Sequence, residues 1–441
     1  MATRLADSRM YAHLWTAPEL DPWLEESGRL TVWLDILSAL AAAQGELGLI
    51  PTATAEAIGA LGVEDLDLDL VVEHTRRTSH STLGLIHGLQ AVLPEAVREY
   101  AYYGATVQDV SDTWFGIVMR EVGDLVDQRL SDLYAELHQL ARTHRDTVMV
   151  GRTHGQPGAP ITFGFKAASW ADEVARHRER LAEGRPRWAV GQLAGAVGVL
   201  GFFGDQGDAL RADFCANLGL GDPGISWTSS RDRVAEFGGV LAMICGTLAR
   251  IGNEVYELQR PEIGELSEPP AEGGVGSITM PHKRNPEASE HLGTLARLAR
   301  ASAGVLLEGM EHQHERDGRS WKAEWVALPE LCELTVVATA IGRRLVGGLE
   351  VHADRMAANL AAGGVDLRSE QILAALAPLL GKHAAQALLQ DLLSERTDLD
   401  VVTLLVEHGV DPAAAAQVAV GYETGSAGAM IDRLPPGRSG P

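Results

Sequence analysis

Residues 237–258 read F-G-G-V-L-A-M-I-C-G-T-L-A-R-I-G-N-E-V-Y-E-L, and their spacing decides the fold class. Phe237, Val240 with Leu241, Ile244, Leu248, Ile251, Val255 and Leu258 recur every three or four residues, which is one face of an α-helix. The stripe runs for about six turns, roughly 35 Å at 1.5 Å per residue, which exceeds what a small compact domain needs. Such a seam predicts packing against other helices rather than a cofactor box. A second long segment, from Glu287 to Leu307, has the same character. Small residues on both faces predict an extended bundle, shared between subunits.

Outward from this seam, residues 104–352 continue as long helical pattern broken by polar loops. Toward the N-terminus, Leu30, Trp33, Leu34, Leu37, Leu40 and Ala41 share one helical face, and the pattern ends around Gly48 and Pro51. A further helical segment follows His80, so residues 1–103 read as a small helical domain. Beyond about Glu350 the helices shorten, with A-A-N-L-A-A-G-G at 357–364 as a junction, and residues 353–441 form a third part. No strand-rich region and no internal repeat is read. The expectation is an all-α protein of three domains around a long central helical bundle.

Composition narrows the function classes. A chain of 441 residues that is 46% apolar has enough material for a large core. Its 37 basic and 60 acidic residues give a formal net charge of −23, which argues against a nucleic-acid binder. A small anionic substrate held by a few local cations remains compatible with that balance. The three cysteines, Cys215, Cys245 and Cys332, form no C-x-x-C pair and fit buried thiols in a reducing compartment. M-A-T-R-L-A-D-S-R-M lacks the apolar core of a signal peptide, and no run of about 18 uninterrupted apolar residues occurs. The chain reads as a soluble cytoplasmic protein with no membrane partner.

Four polar islands interrupt the helices: Thr78-Ser79-His80-Ser81, Gly104 to Asp109 (G-A-T-V-Q-D), Gly151 to Pro157 (G-R-T-H-G-Q-P), and Gly273 to Pro286 (G-G-V-G-S-I-T-M-P-H-K-R-N-P). Unpaired polar groups between apolar helices are costly, so these islands have either structural partners or a task. The last holds a glycine hinge, a hydroxyl, a cation and an amide within a dozen residues, a combination that suits a loop carrying its own chemistry. An ordinary surface loop has a similar composition. His80 and His154 are candidate acids or bases, although a lone histidine at a helix end is more commonly a hydrogen-bonded structural one. His312 and His314 in E-H-Q-H-E-R-D have no third ligand in register, so no metal follows, and no cofactor.

G-S-I-T-M-P-H-K-R-N-P closely resembles the signature loop of the aspartase/fumarase superfamily, whose usual form is G-S-S-x-M-P-x-K-x-N. G-A-T-V-Q-D-V-S-D-T, G-R-T-H-G-Q-P and L-Q-R-P-E-I-G-E-L also resemble superfamily segments in the right order, so the resemblance covers nearly the whole chain. It implies a homotetramer whose active sites each combine loops of three subunits. The implied reaction is anti elimination from a succinyl compound, usually releasing fumarate. By resemblance Ser277 is the base, ionised by its surroundings because a free hydroxyl is a poor one. Lys283 and Asn285 hold the carboxylates, and Thr106 and Gln108 line the other side. Thr153, Arg231 and Met280 complete the implied substrate-binding set. His154 matches the histidine that protonates the leaving nitrogen in adenylosuccinate lyases, and His80 a second histidine of that branch.

Within the superfamily the matches divide. G-R-T-H-G-Q-P, L-A-G-A-V-G at 193–198 and H-E-R-D at 314–317 resemble adenylosuccinate lyases. W-T-S-S-R-D-R at 227–233 and W-K-A-E-W at 321–325 resemble the 3-carboxy-cis,cis-muconate cycloisomerases, which generally lack the histidine matched by His154. Two hydroxyls of the superfamily pattern are absent, since Ile278 and Val107 stand where serines are usual. A missing donor opposite a buried carboxylate costs about 1–3 kcal/mol, so either the substrate differs from adenylosuccinate or one carboxylate is bound differently. The leading expectation is an adenylosuccinate lyase-like carbon–nitrogen lyase that releases fumarate from an N-substituted aspartate, with Ser277 as base and His154 as acid. A cycloisomerase is the alternative, and a non-catalytic helical scaffold the second alternative.

Overall fold

The computed structural model describes residues 4–270, 279–280, 282–394 and 400–436. Ser277 and Ile278 lie outside the described residues. Five helices dominate: Val107–Thr143, Phe163–Trp188, Asp232–Leu258, Glu287–Glu308 and Gly318–Gly347. The stripe of the Asp232–Leu258 helix is buried from Phe237 to Leu258 as its spacing requires. By length and apolarity, Asp232–Leu258 and Gly318–Gly347 could each cross a bilayer, but 61% of each apolar window is buried within the protein.

The chain forms two compact units whose boundaries fall inside these five helices. One unit comprises Met1–Arg129, His177–Gly246 and Thr294–Ala340. Here the Glu26–Glu46 helix packs on Thr52–Gly59 and Gly207–Asn217, burying Trp33, Leu34, Leu37, Leu40 and Ala41. Gly48, left-handed at φ 71°, ends that helix. Close helix approach favours small residues: a Cβ on Gly238 would lie 2.5 Å from Leu306 Cδ1, so any larger residue there must displace that side chain.

The other unit comprises Leu130–Arg176, Thr247–Gly293 and Ile341–Pro441. Its C-terminal helices enclose a separate core of Ile372, Leu376, Ala385, Leu389, Val401, Leu404, Leu405 and Ala415. It also contains what the helical reading missed, an antiparallel hairpin of Val148–Thr153 and Gln156–Thr162. Val148, Val150, Ile161 and Thr162 are strand formers, but a glycine and two prolines mask their alternation. The register slips at Gly151, where an added Cβ would come 2.7 Å from the Ala159 carbonyl oxygen. A second, shorter pairing joins Leu266–Ser267 to Glu350–Val351.

Candidate active site

The G-A-T-V-Q-D segment opens the Val107–Thr143 helix in the first unit. The Thr106 N–H donates to Asp109 Oδ2 at 2.9 Å, closing the first turn. The same carboxylate accepts the N–H groups of Ala194 at 2.8 Å and Gly195 at 3.2 Å, tying L-A-G-A-V-G to this helix start. Burial pushes the Asp109 carboxyl up to about 7, against the pull of these three N–H donors and of Arg316. Arg316, from H-E-R-D, donates through Nη1 to Thr106 Oγ1 at 3.0 Å and through Nη2 to the carbonyls of Ala196 and Gly195 at 3.3 and 3.4 Å. His312 accepts the Asp317 N–H at 2.6 Å, and burial lowers its pKa.

One turn further along, Asp112 anchors a fully buried ion triad. Arg231 donates to Asp112 at 2.8 and 3.1 Å and to Glu324 at 3.0 and 2.5 Å, and none of the three side chains is exposed. Its Nη1 also reaches the Trp227 carbonyl at 3.3 Å, so all five N–H donors of Arg231 point at protein acceptors. Burial alone would lower the Arg231 pKa, but the two carboxylates outweigh it and raise it above its ordinary value. Asp112 takes further bonds from Trp321 Nε1 at 3.2 Å and Gln108 Nε2 at 3.0 Å. Gln108 Nε2 gives its second bond to the Thr228 carbonyl at 2.7 Å, while Gln108 Oε1 is buried without a donor.

In the second unit, His154 and Gly155 form the tip of the hairpin, with φ of 54° and 74°. Two successive positive φ angles between paired Thr153 and Gln156 make a two-residue turn of the type that follows strand twist. His154, Thr153 and Gln156 are all exposed. The strand beneath the tip is fixed by Arg152, which forms two 2.8 Å bonds to the fully buried carboxylate of Glu265. Asn359 Nδ2 donates to the same carboxylate at 2.8 Å. Two segments chosen in the sequence, G-R-T-H-G-Q-P and L-Q-R-P-E-I-G-E-L, therefore meet through this pair.

At the described end of the signature loop, the Lys283 N–H donates to the Met280 carbonyl at 2.9 Å. Lys283 and Met280 are exposed and Asn285 is half-buried. Pro286 has no side chain to cap the helix that follows, and Glu268 does so from a distance. Its carboxylate accepts the N–H groups of Ala288 at 3.1 Å and Ser289 at 2.8 Å.

This constellation matches known proteins along its length. A family model described as Lyase matches residues 16–299. The chain belongs to the lyase family of the aspartase/fumarase superfamily. N-acetyl-S-(2-succino)cysteine lyase of Dickeya dadantii (strain 3937) is 39% identical over 93% of this chain and 91% of its own length. The 3-carboxy-cis,cis-muconate cycloisomerase of Pseudomonas aeruginosa is 38% identical over 83% and 80%. The crystal structure of 3-carboxy-cis,cis-muconate lactonizing enzyme from Pseudomonas putida superposes with a TM-score of 0.87 at 32% identity, covering 97% and 98% of the two chains.

Set against the family pattern, the candidate residues fall into separate groups. Thr106 is held by Arg316, while Gln108 and Arg231 share Asp112. His80, also in the first unit, is exposed and accepts the Leu83 N–H on Nδ1 at 3.2 Å, at the start of the Leu83–Val92 helix. Thr153 and His154 share the hairpin tip, and Met280, Lys283 and Asn285 the loop end. Two grooves of the first unit hold none of them: one of about 510 Å³ lined by Val240, Met243, Leu307 and Met310, and one of about 580 Å³ lined by Glu308, Glu311, Asp317 and Arg319. Among the described residues no cluster of three or more histidines, cysteines and carboxylates could hold a metal ion. Arg316 is the residue that sequence reasoning passed over. H-E-R-D resembles a superfamily segment, and only the fold shows that its arginine meets Thr106.

Proposed function

We propose that this lyase releases fumarate from a small succinyl compound by anti β-elimination, in an active site completed by other subunits of a homotetramer. The observation that carries the reading is His154. It is exposed at the tip of a hairpin fixed from below by Arg152 and Glu265, and it has no hydrogen-bond partner among the described residues. A histidine so held and so unspent suits a site that another chain completes. Ser277 removes the proton next to a carboxylate, and Lys283, Asn285 and Thr106 bind the carboxylates. The charge that builds on the substrate as the proton leaves is stabilised by the cation and the N–H and O–H donors around it. The free buried cysteines Cys215, Cys245 and Cys332 support a reducing, cytoplasmic setting.

The relative that acts on N-acetyl-S-(2-succino)cysteine supports sulfur rather than nitrogen as the leaving atom. A thiol of pKa about 8.5 departs as a thiolate without strong acid assistance, whereas an amine leaves only with a proton. Val107 and Ile278 remove two hydroxyl donors, which further favours a small substrate over a nucleotide.

The test is fumarate formation, followed near 240 nm, from N-acetyl-S-(2-succino)cysteine, adenylosuccinate and small N-succinyl amines. Release from the sulfur compound, lost on Ser277→Ala with the tetramer intact, supports the reading. Turnover by Ser277→Ala would sink the proposed base. A second reading, carboxymuconate cycloisomerisation, has one feature in its favour. The segments 227–233 and 321–325, which resemble that branch, supply Trp227, Arg231, Trp321 and Glu324 to one buried network. Lactonisation of a carboxymuconate with no fumarate from any succinyl compound would establish it.

A further inference from the structure

Thr106 is tied down at both ends of its polar inventory but one. Its N–H belongs to Asp109, and its Oγ1 accepts from Arg316 Nη1 at 3.0 Å. A guanidinium carries donors only, so the hydroxyl oxygen is compelled to accept there and its own proton must point elsewhere. No acceptor for that proton is found among the described residues. Arg316 is not free to follow the hydroxyl, because Nη2 is shared between the carbonyls of Ala196 and Gly195, 3.3 and 3.4 Å away. The N–H groups of Ala194 and Gly195 are in turn fixed by Asp109, the carboxylate that holds the Thr106 N–H. Thr106, Asp109, the 194–196 turn and Arg316 thus form a closed ring whose one hydroxyl proton is unspent.

We propose that Arg316 is a positioning residue that sets the Thr106 hydroxyl as an outward donor for a substrate carboxylate oxygen. The proposal rests on the reading of this site as a succinyl-compound lyase. Three features support it. The β-branched side chain has few rotamers, and the cation selects the one whose oxygen faces Arg316. A hydroxyl that accepts from a cation is polarised and becomes a stronger donor. Val107, next in the chain, has no hydroxyl to share the task. Arg316 is committed chiefly to this ring: Nη1 donates to Thr106, Nη2 to two carbonyls, and Nε is buried without a partner.

The experiment is a double-mutant cycle on the intact oligomer with Thr106→Val, Arg316→Met and both together. It reads succinate binding by calorimetry alongside KM and kcat for N-acetyl-S-(2-succino)cysteine. Each single change is expected to weaken succinate binding and raise KM roughly ten- to a hundredfold, with a smaller effect on kcat, because a carboxylate contact serves ground and transition states alike. The double variant should be no worse than Thr106→Val, since Arg316 acts only through that hydroxyl. Thr106→Ser should retain most of the binding, and Arg316→Lys, with one donor for Oγ1, should recover part of the loss. Multiplying effects in the double variant would mean that Arg316 contacts the ligand itself and would overturn the proposal. So would an Arg316→Met protein that melts earlier but binds succinate normally. Wild-type protein that binds succinate with the expected coupling yet releases no fumarate would leave the positioning role standing and defeat the proposed activity. Wild-type protein that does not bind succinate defeats the positioning role as well.

Discussion

Replacing Arg231 by Met tests the buried triad most directly. Methionine fills similar space but leaves Asp112 and Glu324 facing each other with no counter-charge and no exposure. Two uncompensated carboxylates at that site are unsustainable, so each must take up a proton for the chain to fold. From ordinary values near 3.9 and 4.3, holding each one neutral at pH 7 costs about 4 kcal/mol. The combined cost of about 8 kcal/mol rivals the whole stability of a typical domain, about 5–15 kcal/mol. The variant is therefore expected to be largely unfolded at neutral pH. The sign of the pH dependence follows from the same argument. Both carboxyls would have folded pKa values above their unfolded ones, so the variant is most stable at low pH and loses stability as pH rises. Between pH 5 and 7 the loss relative to wild type amounts to about 5 kcal/mol. Thermal unfolding by circular dichroism at pH 5, 6 and 7.5, at fixed protein concentration, measures it. Adding Asp112→Asn and Glu324→Gln to the variant should abolish the slope. An Arg231→Met protein within about 1 kcal/mol of wild type at pH 7.5, or one with no added pH dependence, would refute the account.

Other outcomes follow from single contacts. His154→Asn, which tolerates the left-handed turn, should slow cleavage of a small N-succinyl amine by about 10²–10⁴-fold. It should slow cleavage of N-acetyl-S-(2-succino)cysteine less than about tenfold, and equal large losses on both would contradict a thiolate leaving group. Glu268→Ala should cost about 0.5–2 kcal/mol, with faster amide hydrogen exchange centred on Ala288 and Ser289; unchanged exchange there would dismiss the remote cap. Burial pushes the Glu333 carboxyl, which accepts the Ala17 N–H, up to about 7, and Asp21 and Glu19 push it the same way. Its folded pKa lies above its unfolded one, so ionisation costs stability increasingly from about pH 4.5 to 7. Glu333→Gln should therefore stabilise by about 1–2 kcal/mol at pH 8, after allowance for partial exposure, and not at pH 4.5. An equal gain at both would argue against the shift.

The long helices were legible because their signal is local. A stripe such as Phe237–Leu258 declares its period within one helix, and every member is buried. The hairpin was not legible, since Pro157, Pro160 and the bulge at Gly151 erase the alternation that marks strands. His154-Gly155 carried a usable clue in hindsight, a left-handed-tolerant residue before glycine between β-branched runs. The candidate site was legible as residue types but not as roles. Arg231 came from resemblance as a substrate ligand, and its actual neighbours, Asp112 and Glu324, are 119 and 93 residues away along the chain. Arg316 and Thr106 are 210 residues apart, a pairing no spacing rule reaches. The remote cap of Glu268 likewise becomes visible only when Pro286 is seen to leave a helix start unserved.

The tip of the hairpin also filters what mutation can do there. A backbone held at positive φ admits His, Asn, Asp and Gly readily and resists β-branched side chains. Drift at position 154 is therefore confined to a short alphabet, and only one of those letters is an efficient proton donor near neutral pH. A lineage whose substrate sheds a good leaving group could exchange histidine for asparagine or glycine without rebuilding the hairpin. The fold thus sets which side chains this turn can offer, whatever the chemistry around it asks of them.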